Sequence, residues 1–218
     1  VKFQSNKNNK YIPNYTRHRN GEYEGGILCQ NCDNVVVGQN LENYGSPIFI
    51  QKILNNNTTS KKYQENEVKF NTLSGINYQK FKVYLLSILW RMSISNRKFF
   101  EGVDLENHEI KLRKMILNED PGKVEEYPFI LLDCNDEAVN LNGLITSPVR
   151  LIKDSIFSYS VLIAGIIIIF KLTDSENTPS ILKHTLKPDG ELDIIKLDHD
   201  TRIVYLERFF QISQLNND

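Results

Sequence analysis

The sequence predicts an α+β fold on three observations. Helical periodicity is concentrated ahead of residue 118, short β-rich runs follow Gly122, and Pro, Gly and Asp clusters punctuate those runs. Helices gathered in front of strands argue for segregated layers rather than alternating βαβ units. The 218 residues amount to one large domain, or one domain with a small appendage.

Taken in order, residues 1–26 are polar and broken by Pro13, Gly21, Gly25 and Gly26, which predicts loops with a short strand near Tyr11-Ile12. A tight turn follows at Cys29-Gln30-Asn31-Cys32. From Asp33 to Leu54, apolar residues at Val36, Val37, Leu41, Tyr44, Ile48 and Phe49 predict a helix interrupted near Gly45-Ser46-Pro47. The stretch Asn55 to Glu67 is polar, and residues 55–75 read as a linker or loop between an N-terminal segment (1–54) and the remainder (76–218).

The strongest helical signal comes next. Tyr78, Phe81, Tyr84, Leu85, Ile88, Leu89 and Met92 recur at three- and four-residue steps, with Val83, Leu86 and Trp90 widening the apolar face. Such a helix is expected to be central and buried, with Asn77 as its cap. A second helix is expected to start at Asp104 and carry Leu105, His108, Leu112, Met115 and Ile116 as far as Asp120-Pro121-Gly122. The two form a central helix pair.

Beyond Gly122, antiparallel strands are predicted at Tyr127–Leu132, Gly143–Ile145, Ile156–Ile163, Gly165–Leu172 and Leu192–Leu197. Ala164-Gly165 reads as a tight turn or bulge, and Lys187-Pro188-Asp189-Gly190 as a turn. Thr201 to Leu215 is expected to close the chain as a helix.

Composition bounds the function. The net charge is −1, which argues against a protein held to nucleic acid by its overall charge. The charge is unevenly spread: residues 1–75 carry +3, residues 76–117 carry +4 and residues 118–218 carry −8. A basic front and an acidic back suit either an interaction face or a solvated mixed surface. Three cysteines make no disulfide scaffold. No signal-peptide pattern is seen, and the apolar run Val161–Phe170 is too short to span a bilayer. A cytoplasmic protein without a membrane partner is expected.

Cys29 and Cys32 are the one sharp motif. Two thiolates with two residues between them at a turn make half of a tetrahedral zinc site, and His18, eleven residues before Cys29, is the nearest further donor. The alternative is a pair of reduced cysteines packing a turn. A thioredoxin-like role lacks the apolar strand that precedes such a motif. Arg91, beside Trp90 on the apolar helix, needs either a carboxylate from Glu101, Glu106 or Glu109, or a phosphate held jointly with Arg97, Lys98 and His108. His184 and His199 stand near turns and read as surface residues. Lys61 and Lys62 suit a nucleic-acid backbone or simple solvation.

Several of these residues carry a resemblance. Lys10-Tyr11-Ile12-Pro13, Ile27-Leu28-Cys29-Gln30-Asn31-Cys32-Asp33 and Glu42-Asn43-Tyr44-Gly45 resemble a bacterial family related to HNH endonucleases. Leu89-Trp90-Arg91-Met92-Ser93, Phe99-Phe100, His108-Glu109 and Arg113 to Leu117 resemble the segment that follows its knuckle. The resemblance implies a zinc-knuckle-like ββα remnant over 1–54 with structural Zn²⁺ on Cys29, Cys32 and His18. It further implies metal-dependent nucleic-acid cleavage in phage defence, using Mg²⁺ or Mn²⁺. The catalytic candidates are Asp33, Arg91, His108 and Glu109.

The chain also departs from that pattern. Lys10 stands where the family carries the strand histidine that acts as general base, and an ammonium cannot accept a proton at neutral pH. Asp33 follows the second cysteine where HNH nucleases have a histidine. The family's first CxxC is not in this sequence: either an upstream segment carries it, or the knuckle is degenerate. A second expectation therefore stands beside the nuclease: a non-catalytic module that binds nucleic acid, a partner protein or a second copy, and keeps the knuckle as a staple.

Overall fold

The structure is a computed structural model and describes residues 3–5, 11–13, 24–54, 61–65, 68–135, 141–153, 156–172 and 183–215. It has the α+β architecture. Strands β1 (Phe3–Ser5) and β2 (Tyr11–Pro13) pair antiparallel as a small ribbon of their own. The remaining strands are β3 (Lys61–Glu65), β4 (Val68–Leu73), β5 (Phe129–Asp133), β6 (Val149–Lys153), β7 (Ile156–Ile163), β8 (Ile166–Leu172) and β9 (Leu192–Lys196). They form one seven-stranded sheet in the order β3-β4-β9-β5-β8-β7-β6. Every neighbouring pair is antiparallel except β5 and β9, which run parallel. The expectation of wholly antiparallel strands is corrected at that pair. The expected linker is corrected too. Its residues 61–65 and 68–73 are strands β3 and β4, and β4 is tied to β9 through the register Phe70 to Ile195.

Alternation along the strands builds two cores. In β8, Ile166, Ile168, Phe170 and Leu172 enter the larger core, while Ile167 and Ile169 face the smaller one. The larger core lies under α2 (Tyr78–Ile94) and α3 (His108–Leu117). The smaller is covered by α4 (His199–Leu215) through Phe209 and Phe210. The sheet is thus the middle of three layers. Its hairpin between β7 and β8 turns on two residues with positive φ, Ala164 at 49° and Gly165 at 88°, the geometry of a type I′ loop.

Helix α2 is the buried element its periodicity predicts. Asn77 caps it, its side-chain oxygen accepting from the Lys80 N–H at 2.9 Å. Helix α3 begins four residues later than expected. The Asp104 carboxylate accepts from the Glu106 N–H at 2.8 Å, capping a turn, and the Tyr159 hydroxyl holds both backbone groups of Asp104, at 2.9 and 2.7 Å. That clamp keeps Asp104 out of the helix. Of Gly143–Ile145, only the bridge between Ile145 and Ile163 pairs. Strand β6 carries no predicted counterpart.

The segment Cys32–Leu54 runs as one helical course. Cys32–Glu42 and Ile48–Leu54 are wound wider than an α-helix, with α1 (Asn43–Pro47) between them. The Asn43 N–H reaches back to the Gly38 carbonyl, five residues earlier. The sequence gives a reason for the wide winding. Val37, Leu41, Gly45, Phe49 and Ile53 are buried, so the inward face recurs every fourth residue, longer than the 3.6 of an α-helix. The interruption expected at Gly45-Ser46-Pro47 is instead a contact. A Cβ on Gly45 would lie 2.0 Å from the Tyr84 ring, so glycine there lets this helix press directly on α2.

One ionisable group is set inside the larger layer. Lys82 on α2 is 2% exposed, and its ammonium donates to the Lys123 carbonyl at 2.5 Å and to the Tyr78 hydroxyl at 3.0 Å. Burial depresses its pKa from 10.5 to about 8, against the opposing pull of Glu126, Glu125 and Asp120. The charged form costs about 3 kcal/mol at neutral pH on that shift. Between pH 8 and 10.5 the folded protein binds fewer protons here than the unfolded chain, so this group adds stability as pH rises through that window. Cys134, buried and pushed up to about 12, acts in the opposite direction above pH 9. Lys82→Met is expected to be more stable than the wild type at pH 7 and to lose that advantage by pH 10. Denaturant melts of both proteins across this range check it; an advantage that stays constant with pH would overturn it.

Candidate functional site

The Cys29–Cys32 turn opens the wide-wound helix. The Asp33 N–H donates to the Cys29 carbonyl at 2.9 Å, closing the first turn, and the Cys32 N–H points at Cys29 Sγ at 3.3 Å. The two sulfurs converge to 3.1 Å, with Cys29 exposed and Cys32 half-buried. The shared contact separates their acidities. Hydrogen bonds from the Cys32 side chain and amide lower the pKa of Cys29, and the same contact raises that of Cys32, against a smaller downward pull from Arg113 on α3.

These thiols fit two of the four positions of a structural zinc site. Among the described residues, no group of three His, Cys, Asp or Glu converges as a metal site. His18 and Lys10 lie outside the described residues. Asp33 is exposed beside the pair and brings one carboxylate, which alone does not hold Mg²⁺ or Mn²⁺.

The other catalytic candidates are engaged separately. Arg91 Nη1 is 2.7 Å from Glu42 Oε1, so the partner is a carboxylate as expected, but from the helix before α2 rather than from residues 101–109. Nothing in local spacing announces Glu42, which lies 49 positions away. Glu109 accepts from Trp90 Nε1 at 2.8 Å. His108 Nδ1 lies 3.0 Å from the Tyr127 hydroxyl. Glu106 is bound to Arg150 at 2.7 Å. The phosphate pocket imagined from Arg91, Arg97, Lys98 and His108 is replaced by pairs that point Arg91 and His108 to different partners.

With side chains 31% and 39% exposed, the Arg91–Glu42 pair is worth at most about 1 kcal/mol. Arg91→Ala is expected to lower stability by about that amount. A double-mutant cycle with Glu42→Gln measures the coupling, and a coupling near zero would show that the pair does not dock the two helices.

His184 is corrected from a surface residue. Its side chain is 16% exposed, and Nδ1 lies 2.9 Å from Asp193 Oδ2 while Asp193 Oδ1 accepts from the Thr72 hydroxyl at 2.5 Å. The Phe70 ring stands edge-on to the imidazole at 5.0 Å. The grouping joins β4, β9 and the loop ahead of β9, a meeting invisible while residues 55–75 read as a linker. His199 sits in the first turn of α4, 2.9 Å from Arg202.

No helix among the described residues is long and apolar enough to cross a membrane. Comparison with protein-family models, curated proteins and solved structures finds no match to this chain, so its likeness to HNH-related proteins rests on the quoted residues alone.

Proposed function

We propose that the chain is a non-catalytic nucleic-acid-binding module, related to HNH endonucleases, whose N-terminal part is stapled by zinc on Cys29 and Cys32. The observation that carries this reading is the convergence of the two sulfurs at the root of a helix packed on α2, while Arg91, His108 and Glu109 are engaged with Glu42, Tyr127 and Trp90. A staple needs only donors and a rigid support; a nuclease needs a free base beside its metal. Lys10 occupies the base's place in the family pattern. The positive charge of residues 1–117 suits a phosphate backbone, and the acidic remainder keeps the overall charge near neutral. Zinc, when bound, supplies crosslinking and no chemistry; His18 is the candidate third ligand.

Elemental analysis of the purified protein, a plasmid-nicking assay with Mg²⁺ and Mn²⁺, and nucleic-acid binding against salt test this together. Expected are about one zinc per chain that is lost in Cys29→Ser, no nicking, and binding that weakens as salt rises. Nicking that disappears in a Cys29→Ser, Asp33→Ala double variant would restore the nuclease. Absence of salt-sensitive binding would remove nucleic acid as the partner.

A further inference from the structure

We propose that Cys29 and Cys32 also form a reversible dithiol–disulfide couple that exchanges with small disulfides of the glutathione class. The sulfurs stand 3.1 Å apart. A disulfide holds them at about 2.05 Å, and two thiolates on one tetrahedral zinc stand about 3.8 Å apart. The observed pair lies between these states, and either is reached by a movement of about 1 Å or less. Cys29 is the exposed member and meets an incoming disulfide first. Cys134, 0% exposed in the smaller core, does not compete.

The exchange balances in two steps. The Cys29 sulfur attacks one sulfur of glutathione disulfide. That S–S bond breaks, and one glutathione leaves and takes up a proton. The Cys32 sulfur then attacks Cys29 Sγ, forming the Cys29–Cys32 bond and expelling the second glutathione with a second proton. Two protein thiols are oxidised and one glutathione disulfide is reduced to two thiols. The inference shares its sulfurs with the zinc staple but does not depend on the metal. Oxidation consumes both donors, so the disulfide form has no zinc ligand left at this turn.

The test equilibrates the full chain, as purified and after chelator treatment, with glutathione buffers of graded ratio, followed by alkylation and mass measurement. In the oxidised form, loss of two hydrogens and of both accessible thiols is expected, with Cys134 alkylated only in denaturant. Excess reduced glutathione should reverse the change. Cys32→Ser should trap a glutathione adduct at the exposed Cys29, and Cys29→Ser, which leaves only the half-buried Cys32, should form its adduct more slowly. Both thiols surviving excess glutathione disulfide, a mixed disulfide persisting in the wild type, or faster trapping by Cys29→Ser would overturn the proposal. Exchange without zinc uptake removes the staple alone, whereas zinc uptake without exchange removes the couple alone.

Discussion

Replacing Trp90 with alanine is expected to cost about 3–5 kcal/mol, a large share of the stability of an ordinary domain. Trp90 is 4% exposed within the larger core, so its removal leaves a cavity there. The loss has a polar component as well. Trp90 Nε1 donates to Glu109 Oε1, and that bond joins α2 to the first turn of α3. Trp90→Phe separates the two terms, keeping most of the volume and losing the donor, and is expected to cost about 1–3 kcal/mol. Denaturant titration of both variants measures the difference. Near-wild-type stability of Trp90→Ala would show that α2 does not organise the core.

Gly190→Ala is expected to cost about 3 kcal/mol or more, combining left-handed backbone strain with a close contact. Gly190 has φ of 86° in the turn before β9, and its carbonyl accepts from the Ile76 N–H at 3.1 Å. A Cβ there would lie 2.4 Å from the Ile76 carbonyl oxygen. Both partners are backbone, so the turn and the entrance to α2 must separate. Gly143→Ala is the control: φ is 77° but nothing lies within 4 Å of the added carbon, so strain acts alone and about 1–2 kcal/mol is expected. Equal losses in the two variants would remove the contact term.

What the amino-acid order determined was set by forces acting within a few residues. The periodicity of Tyr78 to Met92 dictates a buried helix, Asn77 supplies its cap, and Ala164-Gly165 turns a hairpin because both residues adopt positive φ. Cys29 and Cys32 meet because a turn leading into a helix brings residues three apart together. Long-range pairing decided the others. Lys61–Glu65 and Val68–Leu73 are too polar to announce themselves as sheet; Val68–Leu73 becomes strand because β9 offers it an open edge, and Lys61–Glu65 pairs on it in turn, satisfying backbone groups that local sequence leaves undirected. The choice of partner for Arg91 was open to several carboxylates, and only the docking of the Cys32–Leu54 course on α2 selects Glu42 over Glu109, which Trp90 holds. His184 and Asp193 come together for the same reason: an imidazole near a turn is an ordinary surface residue until the strand beside it presents a carboxylate whose second oxygen Thr72 has fixed.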